Sequence, residues 1–236
     1  MRLTLLSDTH TRHHEITQDL PGGDLLLHSG DLMNSGRNIE DIKSFCKWFD
    51  SLDQYTHKVF IAGNHDRMFQ NDYHGAMEIV NSYKNITYLQ DSWVEVGDDE
   101  EKVKIYGTPW QPWFYDWAFN LPRNGIELAG KWEAIPSNID ILITHGPAYG
   151  FVDTVKGREH DHLGCELLAE RIQVIKPKIH VCGHIHSGYG VHTVDGVHYI
   201  NASVLDESYK YTQKPINVEW DKESNILFVK IGRAHV

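Results

Sequence analysis

The sequence predicts an α/β fold in which two β-sheets pack face to face and helices cover the outside. Short apolar runs alternate with amphipathic helical patterns in both halves of the chain, which is typical of βαβ crossovers and parallel strands. The end of the chain contains only strand candidates joined by tight turns, such as the turn at Asp195-Gly196. The 236 residues, of which 41% are hydrophobic, provide enough material for a large core.

The first half of the chain supplies three well-marked strands and two helices. The strands are predicted at Arg2–Leu6, Asp24–His28 and Lys58–Ala62. Apolar residues recur at helical spacing over Ile39–Leu52 and again near Tyr73–Tyr83, so both segments are predicted to be helices. Shorter strands follow, with an acidic hairpin turn at Gly97–Glu101 between the last two: Ile86–Leu89, Trp93–Val96 and Val103–Tyr106.

The second half repeats this alternation before ending in strands. A strand at Ile139–Ile143 is followed by a helix at Asp161–Ile175, which ends before Pro177, and by a strand at Lys178–Cys182. Four strand candidates complete the chain: Gly190–Val194, Val197–Ile200, Ile216–Trp220 and Ile226–Ile231. No linker interrupts the pattern, so residues 1–231 are predicted to form a single domain. Residues 232–236 look unrelated to the strand before them and are interpreted as a vector-derived remnant.

Composition limits the cellular setting and the partners. A formal charge of −11 argues against a stable nucleic-acid partner, since such proteins usually carry a basic face. The three cysteines form no CxxC pair, which argues against a disulfide framework and fits a reduced, cytoplasmic compartment. The chain enters a strand at once and has no apolar run of transmembrane length, so a soluble protein without a membrane partner is expected.

Five short polar blocks each follow a predicted strand. They are SDTH at 7–10, HSGD at 28–31, GNHD at 63–66, THG at 144–146 and GHIH at 183–186. In open α/β sheets, ligands gather outside the carboxyl ends of the strands, so we expect the blocks to form one polar centre. The blocks contain seven side chains capable of binding a metal: Asp8, His10, Asp31, Asn64, His145, His184 and His186.

The residue types in these blocks indicate a two-metal site for phosphoester hydrolysis. Imidazole and carboxylate together suit Mn, Fe or Zn, and two such ions about 3.5–4 Å apart can hold a phosphoryl group and generate hydroxide. Asp8 and His10 are spaced so that both can face one ion, and His184 and His186 repeat that spacing. Asp31 has no second obvious ligand in its block, which suits a residue that bridges two metals.

The five blocks, in this order, resemble the calcineurin-like metallophosphoesterase superfamily. Longer segments are similar to the metallophosphoesterase-domain-containing subfamily, which is akin to the class III cyclic-nucleotide phosphodiesterases. They are GTPWQPWFYDWAFNLPR at 107–123, ILITHGPAYGF at 141–151, GHIHSGYG at 183–190 and YINAS at 199–203. The resemblance extends from Met1 to about Ile231. It implies the calcineurin-like metallophosphoesterase fold, a two-sheet sandwich flanked by helices.

The resemblance also implies roles for individual residues. One divalent metal would be held by Asp8, His10, Asp31 and His186, and a second by Asp31, Asn64, His145 and His184. His65 would contact the phosphate and protonate the leaving oxygen, with Asp66 a candidate to orient it. A surface or helix-capping carboxylate is the alternative for Asp66. A metal-bridging hydroxide would attack phosphorus in line, opposite the departing alkoxide.

A dense aromatic segment has two interpretations. Packing over the sheet, with one or two rings reaching the site, is favoured; a wall that stacks a nucleobase or forms a subunit contact is the alternative. The segment contains Trp110, Trp113, Phe114, Tyr115, Trp117 and Phe119.

The predicted activity is hydrolysis of small phosphate diesters, with cyclic nucleotides suggested by the resemblance. A phosphomonoesterase, including a protein phosphatase, is the alternative enzyme. It would need extra cations for a dianion, and Arg12, Arg37 and Arg67 near the blocks have no assignable position. A nucleotide-binding scaffold with little turnover is the alternative outside enzymes. The expected partners are a small phosphoester or nucleotide substrate, and the chain is expected to be a monomer or a homodimer.

Overall fold

A computed structural model describes residues 1–98, 102–222, 224 and 226–233. Its strands are β1 (Arg2–Leu6), β2 (Gly23–His28), β3 (Tyr55–Phe60), β4 (Thr87–Tyr88), β5 (Ser92–Val96), β6 (Val103–Thr108), β7 (Gln111–Pro112), β8 (Asn120–Leu121), β9 (Ile141–Thr144), β10 (Thr154–Val155), β11 (Arg158–His162), β12 (Ile179–Cys182), β13 (Gly190–Val194), β14 (Val197–Asn201), β15 (Gln213–Asp221) and β16 (Ile226–Arg233). Its helices are α1 (His13–Ile16), α2 (Ile39–Asp50), α3 (Arg67–Asn71), α4 (Tyr73–Val80), α5 (Ile126–Glu133) and α6 (Glu166–Ile175).

Two six-stranded sheets form the centre of the molecule. Their strand orders are β16-β15-β1-β2-β3-β4 and β13-β14-β12-β9-β6-β5. In the first sheet β1, β2, β3 and β4 run parallel, and in the second β6, β9, β12 and β14 run parallel. The parallel strands therefore bring their carboxyl ends to one edge of each sheet.

The sheets pack against each other and helices cover their outer faces, as the sequence predicts. Leu3 and Leu5 of β1 share a buried apolar cluster with Ile141 and Ile143 of β9. Helix α2 packs Phe45 and other side chains against the outer face of the first sheet, and α5 and α6 cover the second sheet. Successive side chains of a strand alternate between these layers, which explains why the central strands are apolar on both faces.

The predicted helix at Asp161–Ile175 begins too early. The structure starts α6 at Glu166, and Arg158–His162 forms a short hairpin with Thr154–Val155. The buried Asp153 carboxylate explains the difference, because it accepts hydrogen bonds from the Gly150 and Gly164 amides at 2.9 and 3.0 Å. These bonds hold the chain out of a helical conformation as far as Gly164, two residues before α6 begins.

Other segments differ less from prediction. Strand β3 spans Tyr55–Phe60 and so precedes the predicted Lys58–Ala62 by a few residues. Helix α5 and the small β7–β8 pair are not predicted from the sequence. Part of the predicted turn at Gly97–Glu101, residues 99–101, lies outside the described residues, as does 234–236 of the supposed remnant. The backbone of Gly232 and Arg233 continues β16, so a domain boundary at residue 231 stays a prediction.

Within the part of the chain that the structure describes, no helix is both long and apolar enough to cross a membrane.

Candidate metal centre

The five polar blocks follow β1, β2, β3, β9 and β12, and their side chains meet where the two sheets end. The backbone there is unusual, because Asp8, His10, Asp31 and His184 all have positive φ angles, of 56°, 38°, 58° and 68°. Non-glycine residues rarely adopt this conformation, and such strain concentrates at functional sites. The loops are therefore shaped to aim these side chains inward, at a cost in local backbone energy.

Asp8, His10 and His186 form the first cluster of potential ligands, with one ligand atom from each lying within 4.8 Å of the others. His186 Nε2 lies 3.5 Å from Asp8 Oδ1. His10 Nε2 lies 3.6 Å from Asp31 Oδ2, which connects this cluster to Asp31.

Asn64, His145 and His184 form a second cluster beside the first. Asn64 Oδ1 lies 2.8 Å from both His145 Nε2 and His184 Nδ1. His145 Nε2 is also 3.4 Å from Asp31 Oδ2. Asp31 Oδ2 is thus near a histidine of each cluster, and the structure brings together all seven side chains singled out in the sequence.

Backbone carbonyls set the tautomers of three histidines. Met33, Ser29 and Asp206 accept hydrogen bonds from Nδ1 of His10, His145 and His186, at 3.0, 2.9 and 2.9 Å respectively. A carbonyl oxygen can only accept, so each Nδ1 carries a proton and each Nε2 keeps its lone pair when the ring is neutral. Metal-binding histidines are commonly oriented by such second contacts.

The donor atoms of the centre are of the types that bind a divalent cation. His10 Nε2 is buried and has no hydrogen-bond partner among the described residues, an arrangement that usually carries a cost. Asp8 and Asp31 are 0% and 2% exposed. Burying two carboxylates is costly unless cations offset their charge, and divalent metals of the Mn, Fe and Zn type accept both carboxylate and imidazole.

Without a cation, the histidines and carboxylates of the centre perturb each other. Burial lowers the pKa of His145, but the charge and hydrogen bonding of Asp31, the charge of Asp8 and the contact with the Ser29 carbonyl together outweigh it and raise the pKa to about 9. In His186, burial also lowers the pKa, but the hydrogen bond to Asp8, the charges of Asp8 and Asp31 and the contact with the Asp206 carbonyl together outweigh it, and the pKa rises to about 9. Burial lowers the pKa of His184 to about 3 and that of His10 to about 4. Two of the imidazoles thus carry protons that a metal would displace.

His65 lies at the border of the centre and is held on two sides. Its backbone amide donates to Asp31 Oδ1 at 2.7 Å, and its Nδ1 donates to the Asn34 carbonyl. The imidazole stacks on Trp117, with ring centroids 3.9 Å apart and an interplanar angle of 21°. Nδ1 is therefore engaged, and Nε2 is the nitrogen left for a bound molecule.

Asp66 has a different role from the predicted orientation of His65. Its carboxylate accepts hydrogen bonds from the backbone amides of Gly63, Asp31 and Met33, at 2.7, 2.9 and 2.8 Å. Burial, reinforced by the charge of Asp31, raises the pKa of Asp66 to about 8. The carboxyl group thus ties the loop after β2 to the loop after β3. The Asn34 carbonyl, not Asp66, accepts the hydrogen bond from His65 Nδ1.

Two supporting residues were not singled out in the sequence. Ser203 Oγ donates to Asp8 Oδ2 at 2.7 Å, and the ring of Tyr209 lies 4.8 Å from that of His10. Ser203 could have been found, because it follows β14, whose carboxyl end lies at the same edge as that of β12. No comparable pattern marks Tyr209.

The aromatic segment divides between core and site. Phe119 is buried, and Trp110 packs on it with ring centroids 5.5 Å apart. Phe114 packs edge-on against His184 at 5.1 Å, and Trp117 stacks on His65. Trp110 and Phe119 therefore pack together, whereas Phe114 and Trp117 reach the site.

A cavity of about 440 Å³ opens above the centre. Its floor includes Asp31 and Asn64, and its walls are largely apolar or aromatic. The wall residues include Pro112, Trp113, Phe114, Val155, Leu163 and Tyr209. A concave apolar site with a few convergent polar groups is typical of small-molecule binding.

The family model described as calcineurin-like phosphoesterase matches residues 1–188. The chain belongs to that family. Metallophosphoesterase domain-containing protein 1 of Homo sapiens is 39% identical over 239 residues, covering 92% of this chain and 70% of the human protein. A UPF0046 protein of Caenorhabditis elegans is 35% identical, covering 92% of this chain and 79% of the worm protein.

Solved structures support the same calcineurin-like fold. TT1561 of Thermus thermophilus superimposes with a TM-score of 0.64 at 13% identity, covering 98% of both chains. Another solved chain superimposes with a TM-score of 0.71 at 16% identity, again covering 98% of both chains. As a calcineurin-like phosphoesterase, the protein is a hydrolase of phosphoesters, and its family uses divalent metals.

Proposed function

We propose that this calcineurin-like phosphoesterase uses two divalent metals to hydrolyse small phosphate diesters, with cyclic nucleotides as the proposed substrate class. The position of Asp31 carries the proposal, because its Oδ2 lies 3.6 Å from His10 Nε2 and 3.4 Å from His145 Nε2. One carboxylate between two ligand clusters suits a pair of ions rather than one. Bound as a pair, such ions would polarise the phosphoryl group and lower the pKa of water.

The proposed ligand sets follow the two clusters. Asp8, His10, Asp31 and His186 would hold one ion, and Asp31, Asn64, His145 and His184 the other. Asn64 contributes a neutral oxygen, which limits the negative charge that a phosphate must approach. The donor types suit Mn, Fe and Zn alike.

His65 is the residue proposed to handle the proton of the leaving group. Because Nδ1 donates to the Asn34 carbonyl, Nε2 is the atom that would give a proton to the departing alkoxide. The stack on Trp117 and the amide bond to Asp31 limit rotation of the residue. Such positioning supports general acid catalysis, which requires the donor within hydrogen-bond reach of the leaving oxygen.

The charge of the cavity favours a diester over a monoester. Arg123 is the sole lysine or arginine among the described residues that line it, and its guanidinium is paired with Glu166 at 2.8 Å. Two arginines near the polar blocks are also engaged, since Arg12 pairs with Glu15 at 2.8 Å and Arg67 donates to the Asp116 carbonyl. A monoanionic diester needs fewer cations than a dianionic monoester.

The walls of the cavity support a substrate with a flat apolar part. Trp113 and Phe114 line the cavity and are 64% and 42% exposed. Exposed aromatic rings beside a phosphate-binding centre can stack on a nucleobase. This feature supports cyclic nucleotides as the class of diester that the protein hydrolyses.

The test compares bis(p-nitrophenyl) phosphate with p-nitrophenyl phosphate, using chelator-stripped protein reloaded with Mn²⁺. We expect faster diester turnover, and we expect H184A to reduce it at least about 100-fold because a ligand of one ion is lost. H192A is the matched control, since His192 is an exposed histidine on β13 and should retain activity.

Three results would count against the proposal. Preference for the monoester would favour the phosphatase alternative. Equal loss in H184A and H192A would contradict the ligand assignment. If the metal-loaded protein binds nucleotide but hydrolyses neither ester, the alternative of a nucleotide-binding scaffold would be favoured.

A further inference from the structure

Tyr209 lies over the first ligand cluster but belongs to none of the five polar blocks. Its ring centroid is 4.8 Å from that of His10, 5.3 Å from that of His186 and 6.4 Å from that of His65. The side chain lines the cavity, and the residue is 41% exposed. Tyr209 therefore faces both the protein ligands and the space that a substrate would enter.

The hydroxyl of Tyr209 differs in its hydrogen bonding from those of two other tyrosines. Among the described residues it has no hydrogen-bond partner, whereas Tyr189 and Tyr211 each donate a hydrogen bond, to the Lys214 carbonyl at 2.6 Å and to Asp19 Oδ2 at 2.7 Å. A phenol has a pKa of about 10, so at neutral pH it is an O–H donor. A donor beside a cluster of metal ligands can bind an anionic oxygen.

The backbone holds this ring in place at an energetic cost. Tyr209 has a φ of 58°, which is an outlier for a bulky aromatic residue. Its amide donates to the Asp206 carbonyl at 2.8 Å, and that carbonyl also accepts from Nδ1 of His186. The guanidinium of Arg12 donates to the carbonyl of Tyr209 from the other side.

The same turn thus supports a candidate metal ligand and the ring above it. Arg12 is itself fixed by two 2.8 Å hydrogen bonds to Glu15. Asp206 Oδ1 closes the turn by accepting from the amides of Ser208 and Lys210, at 2.8 and 3.0 Å. A strained backbone conformation that several hydrogen bonds maintain is more typical of a functional residue than of a residue that only packs.

We infer that Tyr209 is a further substrate-contacting residue of the centre, with its hydroxyl donating a hydrogen bond to a phosphoester oxygen on the His10–His186 side. The inference rests on the proposed phosphoesterase function. It also gives Arg12 a role, because Arg12 positions Tyr209 through the backbone carbonyl instead of binding phosphate itself.

The test is Y209F, which removes the hydroxyl and keeps the ring, in the Mn²⁺-loaded protein. We expect kcat/KM for bis(p-nitrophenyl) phosphate to fall about 10-fold or more, because a hydrogen bond to a charged oxygen is lost. Y149F is the matched control, since Tyr149 is 43% exposed and is not among the residues that line the cavity. Its kcat/KM should stay within about twofold of wild type.

A second measurement does not depend on turnover. Binding of inorganic phosphate to the Mn²⁺-loaded proteins is followed by calorimetry, with metal content and thermal unfolding recorded for each. We expect Y209F to bind phosphate about 10-fold more weakly while its metal content and unfolding temperature match wild type.

The outcomes separate this inference from the proposed function. If wild type hydrolyses the diester and Y209F matches it in both turnover and phosphate binding, the role of Tyr209 is overturned and the phosphoesterase stands. If Y209F loses metal as well as activity, Tyr209 supports the ligands only, and the proposed contact is again wrong. If wild type neither binds phosphate nor hydrolyses either ester, both proposals fail.

Discussion

Asp66 illustrates how one buried side chain can organise two loops. Its carboxyl group accepts backbone hydrogen bonds from both the segment after β2 and the segment after β3. The predicted alternative of a helix cap is not what the geometry provides, because Asp66 makes no side-chain cap bond at the start of α3. Its effect on chemistry is indirect, through the placement of Asp31 and Asn64.

Replacing Asp66 by alanine is expected to destabilise the protein by about 3 kcal/mol or more, because several buried amides would lose their acceptor. Urea unfolding of the metal-free protein measures this free energy. D72A is the control, since Asp72 caps α4 at the surface through the Gly75 amide and should cost about 1 kcal/mol. A D66A protein as stable as D72A would contradict the conclusion that Asp66 holds the two loops together.

His180 predicts a measurable dependence of stability on pH. Burial lowers its pKa to about 3. Thr144 Oγ1 donates its own proton to the Gly146 carbonyl, so His180 Nε2 donates to Thr144 Oγ1 at 2.8 Å. As pH falls below about 6.5, the unfolded chain takes up a proton at this residue while the folded protein does not. The stability contributed by neutral His180 is therefore present above about pH 6.5 and is lost progressively as pH falls toward 3.

The variant H180Q keeps the donor to Thr144 and removes the titration. Between pH 7 and pH 5, metal-free wild type should lose about 2 kcal/mol more unfolding free energy than H180Q. Denaturant unfolding at the two pH values measures the difference. Parallel losses in the two proteins would show that His180 does not titrate in this way.

At the scale of elements, the loop between β7 and β8 depends on one asparagine. Asn120 Nδ2 donates to the carbonyls of Phe114, Tyr115 and Trp117, at 3.2, 2.9 and 3.2 Å. The loop carries both rings that touch the centre, Phe114 on His184 and Trp117 on His65. Asn120 thus determines where these two rings lie relative to His184 and His65.

The N120A variant should loosen this loop while leaving the two sheets intact. We expect faster amide hydrogen exchange over residues 113–119, because their carbonyls lose a hydrogen-bond donor. We also expect a several-fold lower kcat/KM for the diester, because Phe114, Trp117 and His65 are held less firmly. N138A is the control, since Asn138 accepts an exposed 3.3 Å hydrogen bond from Lys104 and lies outside the loop. Exchange unchanged over 113–119 would mean that other contacts hold the loop.

Across the whole molecule, the proposed ligands come from both sheets. Asp8, His10, Asp31 and Asn64 follow strands of the first sheet, whereas His145, His184 and His186 follow strands of the second. Each cluster includes residues from both sides, so a bound ion would join the sheets at their carboxyl edge. Metal binding should therefore stabilise the folded chain as well as support catalysis.

Removing the metals is expected to lower the unfolding temperature. An ion at about 100 times its Kd contributes about 2.7 kcal/mol, which corresponds to roughly 5–10 °C for a chain of this size. Scanning calorimetry of chelator-treated and Mn²⁺-reloaded protein measures the shift. H145A should show a smaller shift than wild type; an identical shift would place the stabilising ion elsewhere.

Much of the architecture and of the ligand set follows from local patterns in the sequence. Apolar runs such as Ile141–Ile143 predict buried strands because a chain cannot leave such residues in water without a free-energy cost. Asp and His residues that directly follow these runs must lie at the carboxyl edge, since parallel strands share it. Seven separate side chains could therefore be placed in one centre before their contacts were known.

Contacts between distant loops are decided only by the tertiary structure. Tyr209 meets His10 from the far end of the chain, and no periodicity predicts that encounter. Asp66 and Asn34 show the same limit: a carboxylate or a carbonyl has several potential partners, and only the folded backbone selects among them. Hydrophobic burial is a property of short segments, whereas the direction of a polar contact depends on the positions of many segments at once.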